Sequence, residues 1–139
     1  SRKIGAGSQV RAENLRLKRE NEIQKNSQKH QLLYKANVPD HGYYVPLAIF
    51  ANVQSSDAMA QNEFFGPVIA LLKAKDLDEA IDIANNTEYA LTAGIFSRSP
   101  ANIEKIKQNI EAGNIYINRG ITGAMVDRHP FGGYKMSGI

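Results

Sequence analysis

Cysteine and tryptophan are both absent from this chain of 139 residues. Without cysteine the chain can hold no disulfide framework, no thiolate metal site and no cysteine nucleophile. Long apolar runs are also missing: nothing approaches the roughly 18 residues that a membrane-spanning helix needs. The N-terminal stretch "SRKIGAGSQVRAENLRLKREN" follows its basic start with no apolar core, so it does not read as a secretory signal. The three histidines, His30, His41 and His129, lack metal-ligand spacing. Ser97, Ser99 and Ser137 lack the context of a nucleophile elbow. "GAGS" near the start has neither a preceding strand nor the later glycine or lysine of a phosphate loop, and reads as linker. No residue in the chain makes a covalent catalyst.

What remains is an ordinary globular composition, 42% hydrophobic and 22% charged, enough for one core. The net charge of +3 is unevenly placed, since nine of the 17 Lys and Arg lie in the first 35 residues against three of the 14 acids. Residues 9–31 are rich in Arg, Glu, Lys and Gln with sparse Leu15, Leu17 and Ile23, which predicts a mostly exposed helix. Such a basic helix could bind nucleic acid or an acidic partner through Arg11, Arg16, Lys18 and Arg19. It lacks the interleaved aromatics of a single-strand binder, and a charge run is more often a solvated face.

Beyond the helix, "QLLYK" and "GYYVPLAIFANV" read as extended segments around the turn "NVPDHG", with Pro46 placing the start of the second after a bend. "PVIALLKAK" is a continuous apolar run, as expected for a strand covered on both faces. Asp76 and Glu79 form a capping box, and Ser99 with Pro100 opens another helix whose stripe is Ile103, Ile106 and Ile110. With "YALTAGIFS" and "NIYIN" as further strands, residues 67–118 alternate strand and helix, the pattern of a parallel α/β sheet. Ligands of such sheets sit beyond the carboxyl ends of the strands. The loop after "NIYIN" is therefore the expected site.

That loop, "NRGITGAMVDRHPFGGYKMSG", is glycine-rich and nearly devoid of reactive side chains. Thr122, Gly123 and Ala124 place small residues in succession, so that consecutive N–H groups can form a concavity for a carboxylate or phosphate, flanked by Arg119 and Arg128. Pro130 and Phe131 make a stiff corner presenting a ring before the Gly-Gly bend. Upstream, "NEFFGPV" sets Glu63 before a Phe-Phe pair, where a carboxylate can accept from sugar hydroxyls and a ring can pack on a planar ligand. Each motif alone is also what a surface turn and two core phenylalanines would look like.

Taken together, "NEFFGPV" and, some 65 residues on, "PFGGYKMSG" resemble the C-terminal part of the catalytic domain of an aldehyde dehydrogenase. "KDLDEAIDIANNTEYALTAGIFS" is similar to that superfamily in content and order. The resemblance covers residues 36–139, and residues 1–35 stand apart as a basic helical segment. "NRGITGAMV" resembles the pyrroline-5-carboxylate dehydrogenase branch, which oxidises glutamate semialdehyde to glutamate with NAD in proline catabolism. The resemblance implies an α/β fragment with a mainly parallel sheet flanked by helices. It also implies that Glu63 holds the nicotinamide-side ribose and Phe65 packs beside the nicotinamide. Gly123 and Ala124 would offer amides to the substrate α-carboxylate, and Phe131 would wall its aliphatic chain. Asn62 stands where the family usually has a second acid.

In that family a cysteine thiolate attacks the aldehyde, hydride passes to NAD, and a glutamate activates water against the thioester. Neither residue is found here, which implies a piece that is inactive alone. A homo-oligomer in the cytoplasm, or in the mitochondrial matrix of a eukaryote, is expected, with a small-molecule substrate and neither nucleic acid nor a membrane span. An enzyme for another acidic semialdehyde, such as succinic semialdehyde, would instead hold the carboxylate with Arg119 and Arg128.

Overall fold

A computed structural model of the chain describes residues 6–125 and 127–138. They form two compact units, the first ending at Leu72 and the second starting at Lys73.

In the first unit α1 spans Ala6–Lys29. Ala6, Gly7 and Ser8 are therefore helical rather than linker, because nothing in the sequence stops the helix before them. Its arginines are largely neutralised within the helix itself. Arg16 pairs with Glu13 and Glu20 at 3.0 and 2.8 Å, and Arg19 with Glu22 at 2.7 Å, at the spacings that bring side chains together on one helix face. Those hydrogen bonds, first to Glu13 and then to Glu20, hold the Arg16 guanidinium even more firmly protonated than usual. Ile23 is the helix residue that enters the core, while Leu15 and Leu17 stay exposed.

Strand β1 (Gln31–Lys35) pairs antiparallel with β2 (Ala48–Ala51), with an irregularity at Leu33, and β2 pairs in parallel with β3 (Val68–Ala70). Ala48 and Phe50 on β2 are fully buried, and with Ile23, Val53 and Met59 they make the core of this unit. Met59 comes from a short helix, α2 (Ala58–Gln61). The sequence pattern places β3 in one sheet with the later strands. Among the described residues β3 instead ladders with β2. Its apolar run is also covered on one face only: Val68, Ala70 and Leu72 pack on the core, while Ile69 and Leu71 are exposed. Phe50 supplies the reason, since its buried ring attracts one face of β3 and its carbonyl accepts from Leu71 N–H at 2.8 Å.

In the second unit α3 (Leu77–Asn85) begins as its capping box predicts: the Asp76 carboxylate accepts from Glu79 N–H at 2.9 Å, and Glu79 reaches back to Lys75 N–H at 2.6 Å. Helix α4 (Pro100–Asn109) is capped by the Ser99 hydroxyl, which accepts from Asn102 N–H at 3.3 Å. The Asn85 amide joins the helix ends by donating to Asn109 C=O at 2.8 Å and accepting from Glu111 N–H at 2.9 Å. The predicted strand "YALTAGIFS" divides in two. Strand β4 (Tyr89–Ala90) pairs antiparallel with β7 (Tyr134–Lys135), and β5 (Thr92–Ile95) pairs in parallel with β6 (Asn114–Ile117) across α4. The Lys135 ammonium fixes β7 by donating to the carbonyls of Asn85 and Thr87 while facing Glu111.

Candidate functional site

Just beyond the end of β6 stands Asn118, whose backbone takes the left-handed region at φ 54°, a conformation asparagine tolerates better than most residues. Its side chain brackets Ser97, accepting from Ser97 N–H at 2.8 Å and donating to Ser97 C=O at 3.0 Å. This clamp ties the ends of β5 and β6 and launches the long loop. The loop does not stay beyond the strand ends, as the α/β rule predicts. It runs back along the pair, so that Ile121 lies against Gly94 of β5 and Pro130 and Gly132 reach Asn114 at the opposite end of β6. Gly94 permits this close approach, because a β-carbon there would meet the Ile121 methyl at 2.7 Å.

Loop and strands enclose a cavity of about 670 Å³. Gly123, Ala124 and Phe131 all line it, as do Tyr116, Asp127 and His129. Three of the five predicted site residues thus meet at one place. Gly123 has φ 101°, which a side chain would strain, so the position calls for glycine. Neither the Gly123 nor the Ala124 N–H donates to an acceptor among the described residues. Phe131 is 57% exposed, its ring unspent on the core.

Arg119, which the sequence motifs placed beside the concavity, holds this loop together with His129 and Asn114, to which they gave no role in the site. The Arg119 guanidinium lies 5.5 Å from the centre of the Tyr116 ring and donates to Thr122 C=O at 3.4 Å. In a trans peptide the carbonyl and the following N–H point in opposite directions, so this bond turns the Gly123 N–H away from Arg119. His129 closes the far side, its Nδ1 accepting from Met125 N–H at 3.0 Å while its backbone N–H donates to Met125 C=O at 3.0 Å. Asn114 holds Phe131 from both flanks, donating to Pro130 C=O at 3.0 Å and accepting from Gly132 N–H at 3.4 Å. Arg119 also lines an adjoining cavity of about 290 Å³ that shares Gly123 and Ala124, whereas Arg128 lines neither. Val126 lies outside the described residues.

Glu63 and Phe65 belong to the first unit, in the link between α2 and β3. The Phe-Phe pair is divided by its environment: Phe64 packs on the core, and Phe65 is 74% exposed. Gly66 N–H donates to Phe64 C=O at 2.8 Å, a tight turn that sends the two rings apart. Glu63 is exposed and makes no ion pair among the described residues, so its carboxylate oxygens are free to accept. Among the described residues no group of three or more His, Asp or Glu could hold a metal, and no helix is long and apolar enough to cross a membrane.

The model of the aldehyde dehydrogenase family matches residues 2–139, and the chain belongs to that family. The match takes in α1, which the sequence motifs did not reach. Among curated relatives, the 1-pyrroline-5-carboxylate dehydrogenase of Geobacillus sp. (strain WCH70) is 50% identical over 97 residues, which is 70% of this chain and 19% of the relative. Proline utilization A from Bdellovibrio bacteriovorus superposes with a TM-score of 0.87 at 56% identity, over 91% of this chain and 13% of that one. A Thermus 1-pyrroline-5-carboxylate dehydrogenase with bound NAD gives a TM-score of 0.85 at 36% identity, over 91% of this chain and 25% of that one. The chain thus spans about a fifth of the length of the curated relatives it matches. Their α/β fold is the one expected from the sequence.

Proposed function

We propose that this chain is the C-terminal part, residues 36–139 preceded by a basic helical segment, of the catalytic domain of an NAD-dependent dehydrogenase. Its reaction is the oxidation of L-glutamate γ-semialdehyde, formed from pyrroline-5-carboxylate, to L-glutamate in proline catabolism. One observation carries the reading: two neighbouring amides with no partner among the described residues, those of Gly123 and Ala124, line the same cavity as the exposed ring of Phe131. The amides bind the α-carboxylate of the substrate. Phe131 walls its methylene chain and keeps water from it.

For the cofactor, the chain offers Glu63 to accept from the ribose hydroxyls on the nicotinamide side and Phe65 to pack beside the nicotinamide. The free carboxylate of Glu63 and the 74% exposure of Phe65 fit that role, since neither is spent on the core. When bound, NAD supplies the acceptor for the hydride. Without cysteine the chain has no thiolate to attack the aldehyde, so alone it is inactive and works only within the full-length enzyme. That enzyme is a cytoplasmic homo-oligomer, or a mitochondrial matrix one in a eukaryote.

Other semialdehydes, held by arginine, are less well served. Arg119 is committed to Tyr116 and Thr122, and Arg128 lines neither cavity. A nucleic-acid module is disfavoured because Arg16 and Arg19 are already paired with glutamates. The test is Ala124→Pro in the full-length enzyme, which deletes one donor. A charge-assisted hydrogen bond contributes about 1.5 to 3 kcal/mol, so the KM for glutamate semialdehyde should rise roughly ten- to hundredfold. An unchanged KM would reject the amide assignment.

A further inference from the structure

The charge on the cavity wall poses a problem for a site that takes an anion. Among the described residues lining the 670 Å³ cavity, Asp127 is the only Asp, Glu, Lys or Arg. A bare carboxylate bound to the Gly123 and Ala124 amides would therefore share the lining of this cavity with a second carboxylate, while the Arg119 guanidinium comes within 3.4 Å of where a Gly123 β-carbon would stand. Arg119, which lines the adjoining cavity, stays on the Tyr116 ring and the Thr122 carbonyl.

Asp127 itself has no hydrogen bond or ion pair among the described residues, and it stands only three residues beyond Ala124. Its backbone is in the left-handed region at φ 62°, a conformation that aspartate, like asparagine, adopts more readily than most residues. An acid without a partner among the described residues, on the lining of a cavity, has its carboxylate free for a ligand.

We propose that Asp127 is a specificity-determining residue that recognises the α-ammonium group of the substrate, so that the cavity accepts α-amino acid zwitterions and rejects plain carboxylates. This deepens the reading that the Gly123 and Ala124 amides bind the α-carboxylate, and it rests on that reading. The zwitterion presents its negative group to the amides and its positive group to Asp127. Each half of the head meets its complement, and the repulsion that excludes a lone anion becomes an attraction. Discrimination then comes from a repulsive element against the wrong ligand as well as an attractive one for the right ligand.

The test compares L-glutamate with glutarate, which differ only in the α-ammonium, by titration calorimetry on the full-length enzyme and its Asp127→Asn variant. Asparagine keeps the shape and tolerates the left-handed backbone, so the change removes charge alone. The native protein should bind L-glutamate about tenfold more tightly than glutarate, and the substitution should narrow that difference, weakening L-glutamate by about fivefold and leaving glutarate equal or tighter. A shift of both ligands in the same direction, or of neither, overturns the assignment of Asp127. If the variant fails to fold, the native comparison decides, because equal affinity for the two ligands also overturns it. The underlying amide reading fails separately, when Ala124→Pro leaves both affinities unchanged while Asp127→Asn still moves them.

Discussion

Asn114→Ala in the full-length enzyme probes how the substrate wall is held. The Asn114 side chain makes no hydrogen bond to the predicted amides, yet it bonds the main chain on both sides of Phe131, at Pro130 C=O and Gly132 N–H. Removing it deletes two hydrogen bonds, each contributing about 0.5 to 1.5 kcal/mol, for a total of about 1 to 3 kcal/mol. Both main-chain groups are at the surface and can find water, so the lower end applies. About 1 kcal/mol of lost loop order corresponds to a KM for glutamate semialdehyde raised roughly fivefold. The KM for NAD should stay within about twofold, because the Asn114 side chain bonds the main chain of the loop and not the residues assigned to the cofactor. The decisive assay is a double-mutant cycle with Phe131→Ala. If Asn114 acts by placing Phe131, the double variant should bind substrate no worse than Phe131→Ala alone. Additive losses would refute the reasoning, as they would mean that Asn114 serves the site by some other route.

Two further expectations follow from the first unit. Glu63→Gln in the full-length enzyme should raise the KM for NAD by about five- to thirtyfold, as loss of a charge-assisted acceptor implies, with little change in the KM for the semialdehyde; the reverse pattern in steady-state kinetics would remove Glu63 from the cofactor. Asp57 receives hydrogen bonds from the Lys29 ammonium and then from Gln54 N–H, and these hold its carboxyl below the usual carboxylate range. A carboxyl with a lower pKa folded than unfolded stabilises the fold above its unfolded pKa, and that contribution is lost as the pH falls through the folded value. Asp57→Asn should therefore flatten the acid limb of the stability curve below about pH 4, measured by urea unfolding.

What could be read from the sequence was what is decided locally. The caps at Asp76 and Ser99 depend on a side chain and an amide three residues apart, and both are formed as spelled out. The run of small residues at Gly123 was legible because a positive φ needs glycine, and Glu63 because a lone acid stands before two aromatics. Distant pairings were not legible. Strand β7 joins β4 across more than 40 residues with no turn signal between them, and "Phe-Phe" does not say which ring will be buried. The path of the loop was missed for the same reason, since the rule of strand ends carries no information about Gly94 lying under Ile121. Asp127 carried no distinct signal, since Arg128 and His129 follow it directly, and its place on the cavity wall needed the fold.

The contact of Ile121 with Gly94 makes the floor of the strand a hidden adjustment screw for the cavity under the loop. A single added methyl at Gly94 would press on the Ile121 methyl from behind, altering the depth of that cavity without changing Gly123, Ala124 or Phe131 themselves. Variation in preferred chain length among related enzymes can therefore arise from a position that no inspection of ligand contacts would nominate.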